Sequence, residues 1–294
     1  MSNVYFSVVV PTYNREDFII KLINSLLNQI YKNFEIIIVD DGSTDNTEKV
    51  VKNIKDKRIK YYKKENAERG AARNYGAEIA AGKYINFFDS DDIAYEHHLS
   101  EAVKMIEKHN TPELFHLGFD IKNKKGQIER DSKMVKNINK QLIIGNCLSC
   151  NGVFIRSDIA SKYPFSSVRQ LSASEDYLLW IKLAARYTIH SYLGVTSSVI
   201  DHSDRSVLKI NINSLINRQE MMLSKMFLDE EVVKKYGKQK FKITESVYSY
   251  ISLHIALSKQ SKKTALKYLF KSIRISPGFI FQRRFLAIIK HLTF

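Results

Sequence analysis

Through about residue 120, the chain alternates between short β-rich runs and segments with a helical pattern of apolar residues. The β-rich runs are FSVVVP, FEIIIVD, RIKYY, KYINFF and ELFHLGF. Between the first two runs, EDFIIKLINSLLNQ places its apolar residues on one helical stripe. After the second run, DNTEKVVKNI begins with a capping-box pattern of Asp45 and Glu48. Strands alternating with helices at this spacing predict an α/β fold, with a mostly parallel sheet covered by helices on both faces.

The 294 residues, 44% of them hydrophobic, suffice for one large domain or for one domain with an appendage. The pattern becomes helical throughout after about residue 210, which predicts an α/β domain over 1–210 and a helical region over 211–294. No run approaches the ~18 apolar residues of a membrane span. The start lacks the basic region of a secretion signal, and Cys147 and Cys150 have no second ligand pair for zinc. We therefore expect reduced thiols and a cytoplasmic protein.

Three polar segments, PTYNR, DDGSTD and DSDD, each directly follow a predicted strand. Because the carboxyl ends of parallel strands meet at one edge of the sheet, these segments should converge on a single ligand cleft. The last segment places Asp89, Asp91 and Asp92 within four positions, where like charges repel. A bound cation, a set of backbone N–H donors or exposure to water could each keep them together.

The motifs VVVPTYNR, IIIVDDGSTD, GAARNYGAEIAAGKYINFFDSDD and SEDYLLW occur in an order and spacing that resembles the family 2 nucleotide-sugar glycosyltransferases. The resemblance covers residues 5–205, and four ordered motifs are more specific than a lone D-x-D sequence. It implies the GT-A fold, a Rossmann-like sheet covered by helices, with 1–210 as the catalytic domain. It also implies an inverting hexosyl- or N-acetylhexosaminyltransferase that moves a sugar from a nucleotide-diphosphate donor, most commonly a UDP-sugar, to a hydroxyl acceptor. The acceptor expected for a bacterial member is a glycan or lipid-linked glycan of cell-surface polysaccharide or lipopolysaccharide synthesis.

The resemblance implies a divalent metal at DSDD. A cation there would stabilise the charge that builds up on the leaving diphosphate, and oxygen ligands suit Mg²⁺ or Mn²⁺. Asp91 should bind the metal directly, with Asp89 nearer the ribose and metal-bound water. Asp92 would be either a third member or a cap of the next helix. His202 matches the position of an imidazole ligand, which would favour Mn²⁺, although a surface histidine is the alternative.

The resemblance also implies a nucleotide pocket. Asp41 should accept a hydrogen bond from the base N3–H, unless it only caps the following turn. Pro11 and Tyr13 should form the loop beneath the base and ribose, with Tyr13 either stacking there or lying in the core. Arg73 should reach the diphosphate, since a guanidinium matches phosphate geometry, and Arg69 is the second candidate.

Asp176, in SEDYLLW, matches the catalytic carboxylate of the family and should be the general base for the acceptor hydroxyl. Its place at a helix start favours the ionised form because of the helix dipole, and it equally suits a helix cap. Glu175 should either orient the acceptor or bind locally.

The formal net charge of +15 is concentrated at the end of the chain, where nine Lys or Arg and no acids follow Glu245. Residues 259–294 predict two amphipathic helices separated at Pro277–Gly278. The apolar face of the first should consist of Leu266, Leu269, Phe270 and Ile273. Two alternatives follow: the helices pack on the domain with a solvated basic face, or they dock peripherally on the anionic inner face of the plasma membrane.

Two other functions share individual features of this sequence. A haloacid-dehalogenase-like phosphatase also places D-x-D after a strand, but normally after the first strand, whereas here the motif follows the fourth. A non-enzymatic nucleic-acid or membrane binder would explain the basic charge. However, the basic residues concentrate in the tail, and the predicted cleft is rich in carboxylates that repel phosphate. We therefore predict no nucleic-acid partner.

Overall fold

The computed structural model describes residues 5–123, 125–131, 136–201 and 211–293. The strands in these ranges are β1 (Phe6–Thr12), β2 (Phe34–Asp40), β3 (Ile59–Lys63), β4 (Tyr84–Phe87), β5 (Ile93–Ala94), β6 (Leu114–Asn123), β7 (Ile128–Asp131), β8 (Val153–Arg156) and β9 (His190–Asp201). The α-helices are α1 (Ile19–Leu27), α2 (Thr47–Lys52), α3 (Glu68–Glu78), α4 (His98–Lys108), α5 (Ile138–Gln141), α6 (Ser157–Lys162), α7 (Glu175–Arg186), α8 (Ile212–Met226), α9 (Glu230–Tyr236), α10 (Lys240–Ser258), α11 (Lys262–Ile275) and α12 (Arg283–Thr293).

The strands form one sheet in the order β3-β2-β1-β4-β8-β6-β9-β5, with β7 added beside β6. The first four strands of that order are parallel, as the strand–helix alternation predicts. The other half is mixed, because β8 lies antiparallel to both β4 and β6, whereas β6 and β9 are parallel. The predicted α/β class with C-terminal helices is confirmed.

Strands β1, β2 and β4 are buried on both faces, which explains their largely apolar sequences, whereas the edge strand β3 is only partly buried. Every residue of β1 and β2 is buried. Helix α1 buries Ile19, Leu22, Ile23 and Leu26 in the same core as Val8 and Val10. The opposite face of β1 meets α3 at Gly76, where an added Cβ would lie only 2.3 Å from Cγ1 of Val9. Glycine therefore permits the helix to approach the strand this closely.

The strand order reverses direction at β1. From β1 the chain proceeds to β2 and β3 on one side, and β4 is then added on the other side of β1. Ligands of open α/β sheets bind at such a reversal, outside the carboxyl ends of the strands. In this chain, PTYNR and DSDD flank the reversal between β1 and β4.

The chain divides into two compact units. The N-terminal unit comprises residues 1–138, 147–169 and 187–203, and the C-terminal unit comprises 139–146, 170–186 and 204–294. The C-terminal unit therefore contains α7 in addition to the helices that follow residue 210.

The C-terminal unit has α10 at its centre, with Ile243, Ile251 and Ile255 fully buried. Helices α11 and α12 both contact α10, and a 3₁₀ turn over Pro277–Phe281 separates them where the sequence predicts a break. Within the described ranges, no helix combines the length and apolar character needed to cross a bilayer.

Candidate active site

The loop after β1 is bound to the loop after β2. The backbone N–H of Asn14 donates to Oγ of Ser43 at 2.9 Å, and the N–H of Thr44 donates to Oδ1 of Asn14 at 2.9 Å. Tyr13, two residues beyond the buried Pro11, is 47% exposed. The tyrosine is therefore a loop residue with an accessible ring, and the alternative of a core aromatic is wrong.

Asp41 is buried at the end of β2 and connects three segments of the chain. Its backbone N–H donates to the Thr12 carbonyl at 2.8 Å. Its Oδ1 accepts from Nζ of Lys64 at 2.8 Å and from the N–H of Ala67 at 3.0 Å. Among the described residues, no donor is bonded to Oδ2, so this oxygen can accept one further hydrogen bond.

The turn after β2 is capped by the neighbouring Asp40. Its carboxylate accepts from the N–H of Ser43 at 2.7 Å and from the Tyr61 hydroxyl. Burial and this contact raise the pKa of Tyr61. Gly42, between Asp41 and Ser43, has φ +86°, a conformation that favours glycine. Because Asp40 caps the turn, Asp41 is not needed for that role.

The first two carboxylates of DSDD each lie beside an arginine. Nη2 of Arg73 donates to Oδ1 of Asp89 at 2.7 Å, and the Arg73 guanidinium lies 5.1 Å from the ring centroid of Phe165. Nε of Arg15, in the loop after β1, lies 3.6 Å from Oδ2 of Asp91. Ion pairing therefore offsets part of the repulsion between these two carboxylates.

The third carboxylate, Asp92, is held by N–H donors. Its Oδ2 accepts from Nδ2 of Asn151 at 2.8 Å, and its Oδ1 accepts from the backbone N–H of Ile200 at 2.9 Å. Burial, and then the charges of Asp91 and Asp89, raise the pKa of Asp92 well above its usual range. The predicted helix cap is wrong for Asp92, because its bonds connect the end of β4 to β9 and α4 begins only at His98.

The carboxylate oxygens at DSDD are the kind of ligand that suits a hard divalent cation. No group of three or more His, Cys, Asp or Glu among the described residues could hold a metal. However, Mg²⁺-type ions are commonly held by one or two carboxylates together with substrate phosphates and water. Asp91, with a partly exposed carboxylate at the strand end, matches that pattern. His202 lies outside the described residues, so its role as a ligand stays a prediction.

Asp176 lies in the first turn of α7 in the C-terminal unit. Nδ2 of Asn146 donates to its Oδ2 at 3.0 Å, and the Tyr177 N–H donates to its Oδ1 at 2.7 Å. Glu175 is buried, and its Oε2 accepts from the N–H of Ser174 at 3.0 Å. This is a local contact of Glu175, and a contact with an acceptor stays a prediction.

A cavity of about 350 Å³ opens beside Asp176, entirely within the C-terminal unit. Its wall combines residues from α7, α8, α10 and the start of α12 with residues before α7. The lining residues that bear polar groups include Asn146, Ser174, Asp176, Gln219, Tyr250 and Arg284.

A family model, glycosyl transferase family 2, matches residues 7–168, more than half of the chain. The chain belongs to glycosyltransferase family 2. The matched region ends before α7, so it covers the predicted donor-site residues up to Asp91 but not Asp176, His202 or the C-terminal helices.

Curated members of family 2 resemble this chain over much of its length. An uncharacterized glycosyltransferase of Rickettsia conorii is 34% identical over 236 residues, which are 74% of this chain and 37% of the relative. The Escherichia coli UDP-Glc:α-D-GlcNAc-diphosphoundecaprenol β-1,3-glucosyltransferase WfgD is 32% identical over 62% of this chain and 71% of its own. The chain spans about a third of the length of the Rickettsia relatives that it matches.

Solved structures share the fold of this chain. Staphylococcus aureus TarS in complex with UDP matches 98% of this chain and 88% of the TarS fragment, with a TM-score of 0.66 and 20% identity. A mannosyltransferase from Pyrobaculum calidifontis, in complex with GDP-Man and Mn²⁺, matches with a TM-score of 0.58 and 14% identity. These likenesses confirm the predicted GT-A class of fold.

Several residues that contact the carboxylates of the candidate site were not predicted from the sequence. Arg15 lies inside the PTYNR motif and could have been chosen as a cation beside the carboxylates. Lys64, Asn146 and Asn151 lie in no recognisable motif, and each reaches a site carboxylate across more than 20 positions of sequence.

Proposed function

We propose that this chain transfers a sugar, with inversion, from a UDP-sugar to a hydroxyl of a glycan or lipid-linked glycan in bacterial cell-surface glycan synthesis. The observation that supports this most is the convergence of three strand ends in the N-terminal unit. The ends of β1, β2 and β4 place an exposed aromatic ring, a buried carboxylate with an open oxygen and an acidic pair at one edge of the sheet. The UDP named for TarS and the UDP-Glc named for WfgD support uracil as the base.

In this proposal, Asp41 and Tyr13 bind the nucleoside. The open Oδ2 of Asp41 accepts from the uracil N3–H, while Lys64 and the Ala67 N–H hold the carboxylate in place through Oδ1. The exposed ring of Tyr13 supplies a stacking surface at the end of β1, after Pro11.

The acidic pair and its arginines bind the diphosphate end of the donor. Asp91 holds a divalent cation, Mn²⁺ or Mg²⁺, which when bound supplies Lewis-acid stabilisation of the leaving diphosphate. Arg73 fixes the carboxylate of Asp89 near the ribose, and contact of Arg73 with the diphosphate itself is part of the proposal. Arg15, beside Asp91, provides a further positive charge at the same place.

Asp176 acts as general base. It receives the proton of the acceptor hydroxyl while the acceptor oxygen forms a bond to the anomeric carbon and the bond from that carbon to the diphosphate oxygen breaks. One displacement of this kind inverts the anomeric configuration. The helix N-terminus stabilises the ionised carboxylate before it takes the proton, and the Asn146 amide orients it.

Two isosteric substitutions test these roles separately. Asp176→Asn should lower kcat about 10²–10⁴-fold and leave metal-dependent UDP-sugar binding intact, because only the base is lost. Asp91→Asn should weaken UDP-sugar binding in Mn²⁺ as measured by calorimetry, with little change in its absence. Asp17→Asn, at an exposed carboxylate in the turn before α1, is the matched control. Unchanged turnover of Asp176→Asn would remove the base assignment, and metal-independent binding by the wild type would remove the cation.

We also propose that the tail contacts an anionic membrane surface. Phe270 on α11 and Leu286 on α12 are mostly exposed, and Phe281 between the helices is 86% exposed. Exposed basic residues accompany them on the same segments: Lys262, Lys263, Lys267, Arg274, Arg283 and Lys290. Aromatic and aliphatic side chains among basic ones suit insertion beside anionic headgroups, with on the order of 1 kcal/mol from each basic residue near the surface.

Sedimentation with phosphatidylglycerol or phosphatidylcholine vesicles tests this contact. The full chain should sediment with the anionic vesicles only, and Phe281→Ser with Leu286→Ser should reduce the bound fraction several-fold. Leu228→Ser is the control, since Leu228 is 77% exposed but lies between α8 and α9. Equal sedimentation of the wild type and the double variant would refute insertion by these side chains.

A further inference from the structure

The cavity beside Asp176 has the size and composition of a binding site for a small polar ligand. At about 350 Å³ it falls within the ~300–1,000 Å³ typical of such sites. Val247 and the rings of Tyr177 and Tyr250 form the apolar part of the wall. Amide and hydroxyl groups form the part that can make hydrogen bonds. A sugar presents C–H faces and hydroxyls together, so this mixture suits a sugar ring.

Arg284 places a positive charge in this wall. Its Nη1 donates only to neutral oxygens, the carbonyl of Ser246 at 3.1 Å and the hydroxyls of Ser246 and Ser249 at 3.1 and 2.9 Å. No carboxylate of the described residues lies within 4 Å of the guanidinium. Nη2 lies beside Gly145, 3.7 Å from the place that a Cβ on that residue would occupy.

The surrounding charges offset the positive charge of this guanidinium only in part. Burial lowers the pKa of Arg284, and Glu245 is the acid that acts on it in the opposite direction. Burial in turn raises the pKa of Glu245 and so favours its neutral form. Arg284 and Arg218 both act, after burial, to lower the pKa of His254 to about 4, which indicates that their positive field extends into this part of the unit. An anion bound at Arg284 would be stabilised by charge-assisted hydrogen bonds.

We infer that this cavity is the acceptor site and that Arg284 selects an acceptor sugar bearing an anionic group, a phosphate or a carboxylate. The inference rests on the proposed function, because it takes Asp176 as the base that must face the acceptor hydroxyl. The negative charge of Asp176 repels the anionic group, so the group lies at Arg284 and a neutral hydroxyl faces Asp176. Arg284 is thereby a specificity-determining residue rather than a catalytic one.

Calorimetric titration with small sugars tests the inference on the full chain in saturating UDP and Mn²⁺, which occupy the donor site. Glucose 1-phosphate should bind about tenfold or more tightly than methyl α-glucoside. Arg284→Gln should remove this preference, Arg284→Lys should retain part of it, and the exposed Arg130→Gln on β7 should retain all of it. Thermal unfolding establishes that each variant is folded.

The outcomes separate the two proposals. Loss of UDP binding by the wild type would defeat the proposed function, whatever the sugars do. Normal UDP binding with equal affinity for the charged and neutral sugars would overturn the acceptor inference alone, and this comparison needs no variant. Inorganic phosphate binding as tightly as the sugar phosphate would also overturn it. Preference for glucose 1-phosphate over glucuronic acid would assign a phosphate-linked acceptor, and the reverse preference an acidic sugar.

Discussion

Replacing Asp89 by Asn should destabilise the protein more than replacing its ion-pair partner Arg73 by Met. The two side chains differ in burial: Arg73 is 2% exposed and Asp89 is 34% exposed. Removing either partner breaks the same 2.7 Å contact, but the charge left behind is buried in one variant and hydrated in the other.

The burial difference sets the magnitudes. Breaking a buried ion pair from one side typically costs about 3–5 kcal/mol, and the Asn oxygen still accepts a hydrogen bond, so Asp89→Asn should cost about 3 kcal/mol. In Arg73→Met, water can solvate the remaining carboxylate, so the lost pair, together with the repulsion from Asp91 that it offset, counts for about 1 kcal/mol. The lost contact with Phe165 adds roughly 0.5–1 kcal/mol. The gap of about 1–2 kcal/mol corresponds to roughly 2–3 °C in Tm for a chain of 294 residues.

Urea unfolding followed by circular dichroism measures this ranking. The double variant should recover stability relative to Asp89→Asn, because no buried charge then remains at this contact. Asp17→Asn, at an exposed position, should stay within ~0.5 kcal/mol of wild type. A loss of stability in Arg73→Met equal to or larger than that in Asp89→Asn would refute the reasoning from burial.

Three further predictions concern the packing and titration of buried groups. Gly76→Ala should cost about 1–3 kcal/mol in urea unfolding, because its Cβ would meet Val9 at 2.3 Å; wild-type stability would contradict the close packing. Burial lowers the pKa values of His98 and His116 to about 3, so the unfolded state binds their protons first as the pH falls below ~6.5. Each should then remove about 1.4 kcal/mol of unfolding free energy per pH unit between about pH 6 and 4, and a flat profile in urea titrations across this range would refute it. Burial raises the pKa of the Cys147 thiol to about 11, so its alkylation at pH 8 should be on the order of a hundredfold slower than that of an exposed cysteine, as followed by mass spectrometry.

The parallel half of the sheet and its polar strand ends could be predicted because their signals are local. Strands buried on both faces appear as unbroken apolar runs, and a carboxylate that follows such a run must lie at the edge of the sheet. Asp41, Asp89 and Asp91 were placed in this way. The insertion of β8 between β4 and β6 has no local signal, because strand order depends on pairing between distant segments.

The partners of the site carboxylates could not be predicted from the sequence for the same reason. Asp92 is held by Asn151 and Ile200, which stand 59 and 108 positions away in the sequence. Its role as a hydrogen-bonded connection, rather than a helix cap, therefore emerged only from the structure.

In the tail, the helices and their break follow from periodicity, but the choice of buried face does not. Leu269 is buried, whereas Leu266 and Phe270, assigned to the same apolar face, are exposed. The face toward α10 instead includes Tyr268 and Ser272, whose hydroxyls donate to Glu220 and to the Tyr268 carbonyl. Because these hydroxyls are satisfied, polar residues can be buried where a hydrophobicity pattern does not expect them.

The discontinuous make-up of the C-terminal unit limits how such enzymes can be recombined. Its three segments, 139–146, 170–186 and 204–294, are interleaved along the chain with those of the sheet-bearing unit. A chimaera joined at a single crossover after the last strand would graft foreign helices onto a native α7 and split one hydrophobic core between two parents. Exchanging all three segments together keeps that core intact, and with the acceptor site proposed above such a transplant should carry acceptor preference between relatives and leave donor preference unchanged.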